Sequence, residues 1–195
     1  MIGSMTRLLH KWWLATEASA AVLLGRRGRA LQLYKRIVEL FAHDERAHAT
    51  VGYLLTELGE PGAAIDAFDR LLKINPRNAT AWFNLGFIHD RCEDNAQAEH
   101  CFTTALELDP QLDRAWYGLG LVLIRQARLR EAVAALERNT RLQPLSPYGW
   151  YQLAMTHHHL GEDQVAWRIQ TRLRGFEPRF AATLERDLGA CGAHR

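Results

Sequence analysis

The chain has 195 residues, is 48% hydrophobic and 24% charged, and carries a formal net charge of +2 at pH 7. Those values suit a folded protein and exclude a bulk electrostatic pull towards nucleic acid or anionic membrane. Cys92, Cys101 and Cys191 are too few and odd in number for a disulfide framework, and no apolar run approaches the ~20 residues of a membrane span.

A reducing, cytoplasmic location is therefore expected. The 21 arginines against 3 lysines read as codon bias in a GC-rich genome. Arg7, Lys11 and the run Ala18-Ser19-Ala20 raise the question of a cleaved leader. Glu17 cuts the apolar stretch to residues 12–16, short of the ~7–15 apolar residues such a leader needs.

Residues 1–10 form an expected flexible N-terminus and the start of a first helix, with Met1 to Thr6 frayed and Met5 an alternative start. A helix is predicted over residues 7–24, broken at Gly25 to Gly28. Residues 29–41 follow as a second helix, with Leu33, Tyr34, Ile37, Val38 and Phe41 on one stripe. Trp12 and Trp13 are conspicuous so early, and one of them is a candidate anchor for a second subunit or a partner.

From there a period governs the chain. Trp82, Leu85, Gly86, His89, Ala98, Phe102, Ala105 and Pro110 return 34 residues later as Trp116, Leu119, Gly120, Leu123, Ala132, Leu136 and Pro144. They return again as Trp150, Leu153, Ala154, His157, Ala166 and Pro178, and backwards as His48, Val51, Gly52, Leu55, Ala64, Phe68 and Pro76. Such a spacing implies a row of helix-turn-helix units. The frame gives five repeats over residues 11–44, 45–78, 79–112, 113–146 and 147–180. Asp44, Asp94 and Ser146 are expected N-caps, and Pro61 and Pro147 sit at first-turn positions. Residues 181–195 are read as a capping helix with a loose tail from Gly189, the helix beginning at Arg179 and aligning Phe180, Leu184 and Leu188.

Trp82, Leu85, Gly86 and His89 share one helical stripe, and Gly86 there costs about 1 kcal/mol against alanine, so its use must be close approach of the paired helix. This pattern resembles the tetratricopeptide repeat family over residues 11–180. The resemblance implies an all-α, right-handed superhelical solenoid of five repeats, without catalysis or cofactor, whose first helices line a concave groove for another protein. Departures are His48 for tryptophan, Asn139 for a small residue, Ala154 for glycine and Gln170 for an aromatic residue; each is expected to loosen its packing site.

If the tryptophan stripe faces the core, a second face of each first helix faces that groove. It holds Tyr53 in the second repeat; Phe83, Asn84, Phe87 and Arg91 in the third; Arg114, Tyr117, Leu121, Ile124 and Arg125 in the fourth; and Tyr148, Tyr151, Gln152, Met155 and His158 in the fifth. Padding between repeats is the competing reading for Phe83, Tyr117 and Tyr151 in particular. Some members of the family grip a carboxylate with groove lysines; here those places hold Ala49, Phe83, Tyr117 and Tyr151, and only Asn84 and Arg114 resemble that set. The expected partner is therefore an apolar segment with some acidic residues, read by Arg91, Arg114 and Arg125. A dedicated chaperone for secreted substrates, similar to the type III secretion chaperones, is an alternative, although those carry three repeats.

A third reading is a metal or thiol module using His89, Cys92, His100, Cys101 and the His157-His158-His159 run. Consecutive helical side chains diverge by about 100° and close poorly round one ion. No nucleophile–base arrangement stands out, so no enzyme activity is expected. The clusters Arg26-Arg27-Arg29 and Arg125-Arg128-Arg130 read as solvated helix ends, not as a nucleic-acid surface.

Overall fold

The structure, a computed structural model, describes the backbone of residues 2–192 and the side chains of residues 5–189. Met1, the side chain of Cys191 and residues 193–195 of the expected tail lie outside the described residues. Eleven α-helices and no strand occur among the described residues. The chain divides into two compact units, Met1–Cys92 and Glu93–Arg195.

The first unit holds α1 (Ile2–Leu23), α2 (Arg27–Leu40), α3 (Glu45–Glu57), α4 (Pro61–Ile74) and α5 (Ala79–Arg91). Each helix packs on the next, and α3 also meets α5. The helix α1 begins at Ile2, ahead of the start predicted at Arg7. Met5 continues the stripe of Leu8, Leu9 and Trp12, and no proline interrupts propagation from it. Two side chains start helices as capping chemistry requires: the Asp44 carboxylate accepts from the Ala47 N–H at 3.0 Å, and the Asn78 amide oxygen from Ala81 at 2.9 Å. Lys11 meets the other Asp44 oxygen at 2.6 Å, tying α1 to the start of α3.

The second unit holds α6 (Asn95–Leu108), α7 (Asp113–Arg125), α8 (Leu129–Leu142), α9 (Pro147–His159), α10 (Asp163–Arg174) and α11 (Pro178–Gly192). Asp94 caps α6 through the Gln97 N–H at 3.2 Å. Ser146 occupies the N-cap place of α9, but its side chain makes no capping bond. The helix α11 continues to Gly192, beyond the expected start of the tail at Gly189, and buries Ala181, Leu184 and Leu188 against α9 and α10. Gln170 in α10 donates to the Ala181 carbonyl at 3.2 Å and to Glu185 at 3.1 Å. An amide replaces the family's aromatic residue there and fastens the terminal helix instead of loosening the site.

Within the units, small residues let helices approach. A Cβ on Gly52 would stand 2.6 Å from the Phe68 ring, and one on Gly120 would stand 2.8 Å from Leu136. Each hairpin turn carries one left-handed residue at the same register: Gly25, Gly59, Glu93, Ala127 and Gly161, with φ of 69°, 77°, 61°, 58° and 78°. Where glycine is absent the turn keeps its geometry at a backbone cost.

Three tryptophans of the repeat make one identical bond. The indole N–H of Trp82, Trp116 and Trp150 donates at 2.9 Å to the carbonyl of Pro76, Pro110 and Pro144, six residues earlier. Their rings are partly buried. In the second repeat His48 Nε2 lies 2.9 Å from the Ala42 carbonyl. The histidine thus reproduces the indole bond, which corrects the expectation that it loosens the repeat.

Candidate functional site

The repeat frame gives the second face of each first helix the same register positions. Tyr53, Phe87, Leu121 and Met155 hold one of these register positions, and Phe83, Tyr117 and Tyr151 another. In the first unit Tyr53 on α3 and Phe87 on α5 are exposed, 55% and 42% accessible, while Phe83 and Asn84 are half-buried. The Arg91 guanidinium lies 5.9 Å from the Phe87 ring centroid, one turn further along α5, within cation–π range.

In the second unit the same face divides. Arg114, Tyr117 and Tyr148 line an open cleft of about 370 Å³ between the first turns of α7 and α9, with Asp113, Asn139, Gln143, Ser146 and Gly149 completing its wall. Tyr148 is 59% accessible and meets Phe180 of α11 edge-on at 5.2 Å. Tyr117 is half-buried and bonded to Gln152; burial raises its phenol pKa, and the Gln152 bond offsets part of that rise. The Tyr117 ring therefore presents a neutral hydroxyl at neutral pH. Leu121 is half-buried beside them in the chain's register.

Other residues assigned to this face do different work. Tyr117, Tyr151, Ile124 and Met155 all pack partly against the apolar core of the unit. The Tyr151 hydroxyl donates to Asp187 of α11 at 2.6 Å, so that ring is held by the terminal helix. Arg125 is exposed, and its Nε donates to Asn95 at 2.9 Å, at the start of α6. His158 corrects the reading of an open groove residue: it is 5% accessible and its Nδ1 is hydrogen-bonded to Asp163. The hairpin turn brings the first residue of α10 back over the last turn of α9, which buries that ring. The neighbouring His157 pairs in the same way with Glu162 at 2.6 Å, and Arg130 of α8 reaches the same carboxylate at 2.5 Å. The His157 bond and the Arg130 bond together hold Glu162 below the usual carboxylate range.

Among the described residues no group of three or more His, Cys, Asp and Glu side chains is placed to hold a metal ion. Cys92 is exposed at the end of α5 and Cys101 is buried in α6. Arg128 bonds Glu99 and Glu131, so this member of the basic cluster is committed to ion pairs inside the unit. No described helix is long and apolar enough to cross a membrane. The sequence pattern missed the part that α11 plays at α9: a period shows which residues share a face, not which of them a terminal helix covers.

The chain matches the family model described as the cilia and flagella-associated protein 70 middle TPR-like domain over residues 63–174. A tetratricopeptide repeat model matches residues 16–79. Among solved structures, MamA from Desulfovibrio magneticus RS-1 superposes with a TM-score of 0.78 at 20% identity, over 91% of this chain and 96% of that one. Another MamA structure gives 0.79 at 17% identity, over 88% and 94%. YrrB, described as a TPR protein with an unusual peptide-binding site, gives 0.73 at 20% identity, over 87% and 88%. At such identities the likeness is one of fold. No sequence among the curated proteins matches the chain. Helical hairpins at a 34-residue period, the repeated indole bond and the matching models agree: the chain belongs to the tetratricopeptide repeat family.

Proposed function

We propose that this chain is a non-catalytic interaction module that holds an extended or helical segment of a partner protein on the second face of its first helices. The observation that carries the reading is the cleft of Arg114, Tyr117 and Tyr148. It combines exposed aromatic surface with a cation and hydroxyl groups, the mixture a peptide site uses to bury apolar side chains and read an acidic one. Tyr53, Phe87 and Arg91 repeat that mixture on the first unit. The peptide-binding site for which YrrB is described, in a chain of the same fold, lends further support.

The test is selection from a random peptide display library, followed by titration of the enriched peptides. Enrichment of apolar sequences with Asp or Glu is expected. Tyr148→Ala and Arg114→Glu, both at exposed positions, are expected to weaken those peptides about ten-fold or more, as interface aromatic and arginine anchors do. Peptides that bind both variants as tightly as the native chain would place the site elsewhere.

A further inference from the structure

His48 keeps the bond of the repeat tryptophan but not its size. Trp82, Trp116 and Trp150 set their indole Nε1 on a proline carbonyl, and His48 sets Nε2 on the carbonyl of Ala42, which holds the same register as those prolines. Both nitrogens occupy the ε place of a five-membered ring. The imidazole therefore stands for the pyrrole half of an indole, and the benzo half has no counterpart in the second repeat.

A pocket of about 280 Å³ opens beside it, between α2 and α4 and over α3, with His48 in its wall. Val51, Leu55 and Ala67, all buried, form its floor. Later repeats of the same chain show what this floor carries. Trp116 packs against the cluster of Leu123, Ala132 and Ala135, and Leu123 and Ala135 stand two repeats after Leu55 and Ala67. Arg70, also in the pocket wall, has its counterpart three repeats on in Arg172, whose guanidinium lies 4.3 Å from the Trp150 ring centroid. In the second repeat the floor and the arginine are kept, and the tryptophan ring between them is replaced by a smaller one. An apolar cavity of about 150 Å³ is enough to hold benzene.

The mouth decides between a free molecule and the side chain of another protein. Lys35, Glu39, Asp66 and Arg70 surround it, all exposed and all charged. The core of a protein interface is depleted of charge. A small molecule instead buries its ring and leaves a polar group among such charges. We infer that this pocket binds a small molecule with one benzenoid ring, the ring on Leu55 and Ala67 under Arg70 and its polar substituent at the charged mouth. The site shares no residue with the proposed peptide face.

Titration of the full chain with benzyl alcohol, benzoate and benzylamine, followed by the methyl NMR signals of Val51 and Leu55, tests this. Saturable ring-current shifts of both residues are expected with at least one of the three. The saturated ring of the same alcohol, cyclohexylmethanol, should bind at least about two-fold more weakly, because it lacks the face that a guanidinium attracts. Arg70→Ala, at an exposed position, should weaken binding about two- to five-fold, the factor an exposed cation–π contact carries. His48→Trp restores the indole of the later repeats; it should keep or raise Tm and weaken binding about ten-fold or more. Ala67→Ile, which places the isoleucine of the fifth repeat, Ile169, at this register, should weaken it comparably and serves where the tryptophan variant does not fold. Absence of shifts with all three ligands, equal affinity for cyclohexylmethanol, or unchanged binding in any folded variant overturns the inference. Tyr148→Ala and Arg114→Glu should leave these shifts as they are, so this site and the peptide site stand or fall separately.

Discussion

A Cβ added at Gly149 would stand 2.0 Å from the Oδ1 of Asn139. One repeat earlier the two registers hold Ala105 and Ala115, two small residues. Here the α8 side chain has grown and the α9 side chain has vanished, so the volume has moved across the interface. The enlarged side chain is buried, and its Nδ2 donates to the Asp113 carbonyl at 2.9 Å, at the start of α7. Asn139 thereby joins α8 to the first turn of α7 while Gly149 makes room for it on α9, at the wall of the proposed peptide cleft.

Gly149→Ala is therefore expected to destabilise the protein by about 1–3 kcal/mol, as overpacking does. Asn139→Ala should cost about 1–2 kcal/mol through the lost bond and the void. The double variant restores the small pair of the preceding repeat and should lose clearly less than the two single losses together. Urea unfolding of the four proteins measures the coupling. Simple additivity would mean that the two positions do not share a packing site.

The repeated indole bond predicts a matched pair of losses. Trp116→Phe keeps most of the ring and removes the donor to Pro110, so it should cost about 1 kcal/mol. His48→Phe should cost about as much for the same reason, with Ala42 left unpaired. Trp116→Ala adds lost packing and is expected to reach about 3 kcal/mol. Chemical denaturation checks all three; a neutral His48→Phe would show that its imidazole contributes shape alone.

Ala127 holds φ at 58° in the turn between α7 and α8, where three of the five turns use glycine. A side chain in the left-handed region costs about 1 kcal/mol. Ala127→Gly is expected to recover part of that and raise the unfolding midpoint. A fall in Tm would show that the unfolded-state entropy of glycine outweighs the relieved strain.

Asp44 links acid stability to α1. Burial opposes its ionisation, but the Lys11 bond and the Ala47 N–H outweigh that, and its pKa lies below the ordinary 3.8. A carboxylate with a lowered folded-state pKa contributes fully above its unfolded value and loses that contribution as pH falls through the folded one. Asp44→Asn keeps a capping oxygen and discards the ion pair. Its stability deficit against the native chain should be largest at neutral pH and shrink below about pH 4. A deficit that stays constant down to pH 3, by thermal unfolding, would remove the ion pair from the account.

The architecture was legible because proline, tryptophan and small residues recur at one register, and a period of that length has one helical solution. The face of the first helices was legible for the same reason. What escaped was substitution chemistry inside the register. His48 stands in for an indole donor, Gln170 tethers a helix where an aromatic ring was expected, and Asn139 is read correctly only beside Gly149. Burial of His158 escaped too, since it depends on a carboxylate that a turn carries back onto α9. The exposed apolar stripe of α1 escaped because Met5, Leu8 and Leu9 precede the first repeat and Trp12, Trp13 and Leu23 hold none of its shared positions.

Within each unit, helices in contact are neighbours or next neighbours along the chain. No pairing waits for distant segments to meet, so loop closure during folding is short and cheap. Refolding can start at any hairpin and spread to the adjacent ones, and partial opening can begin at an end without unmaking the middle. The fold is thus suited to rapid recovery after stress, with a graded rather than all-or-none response to local damage.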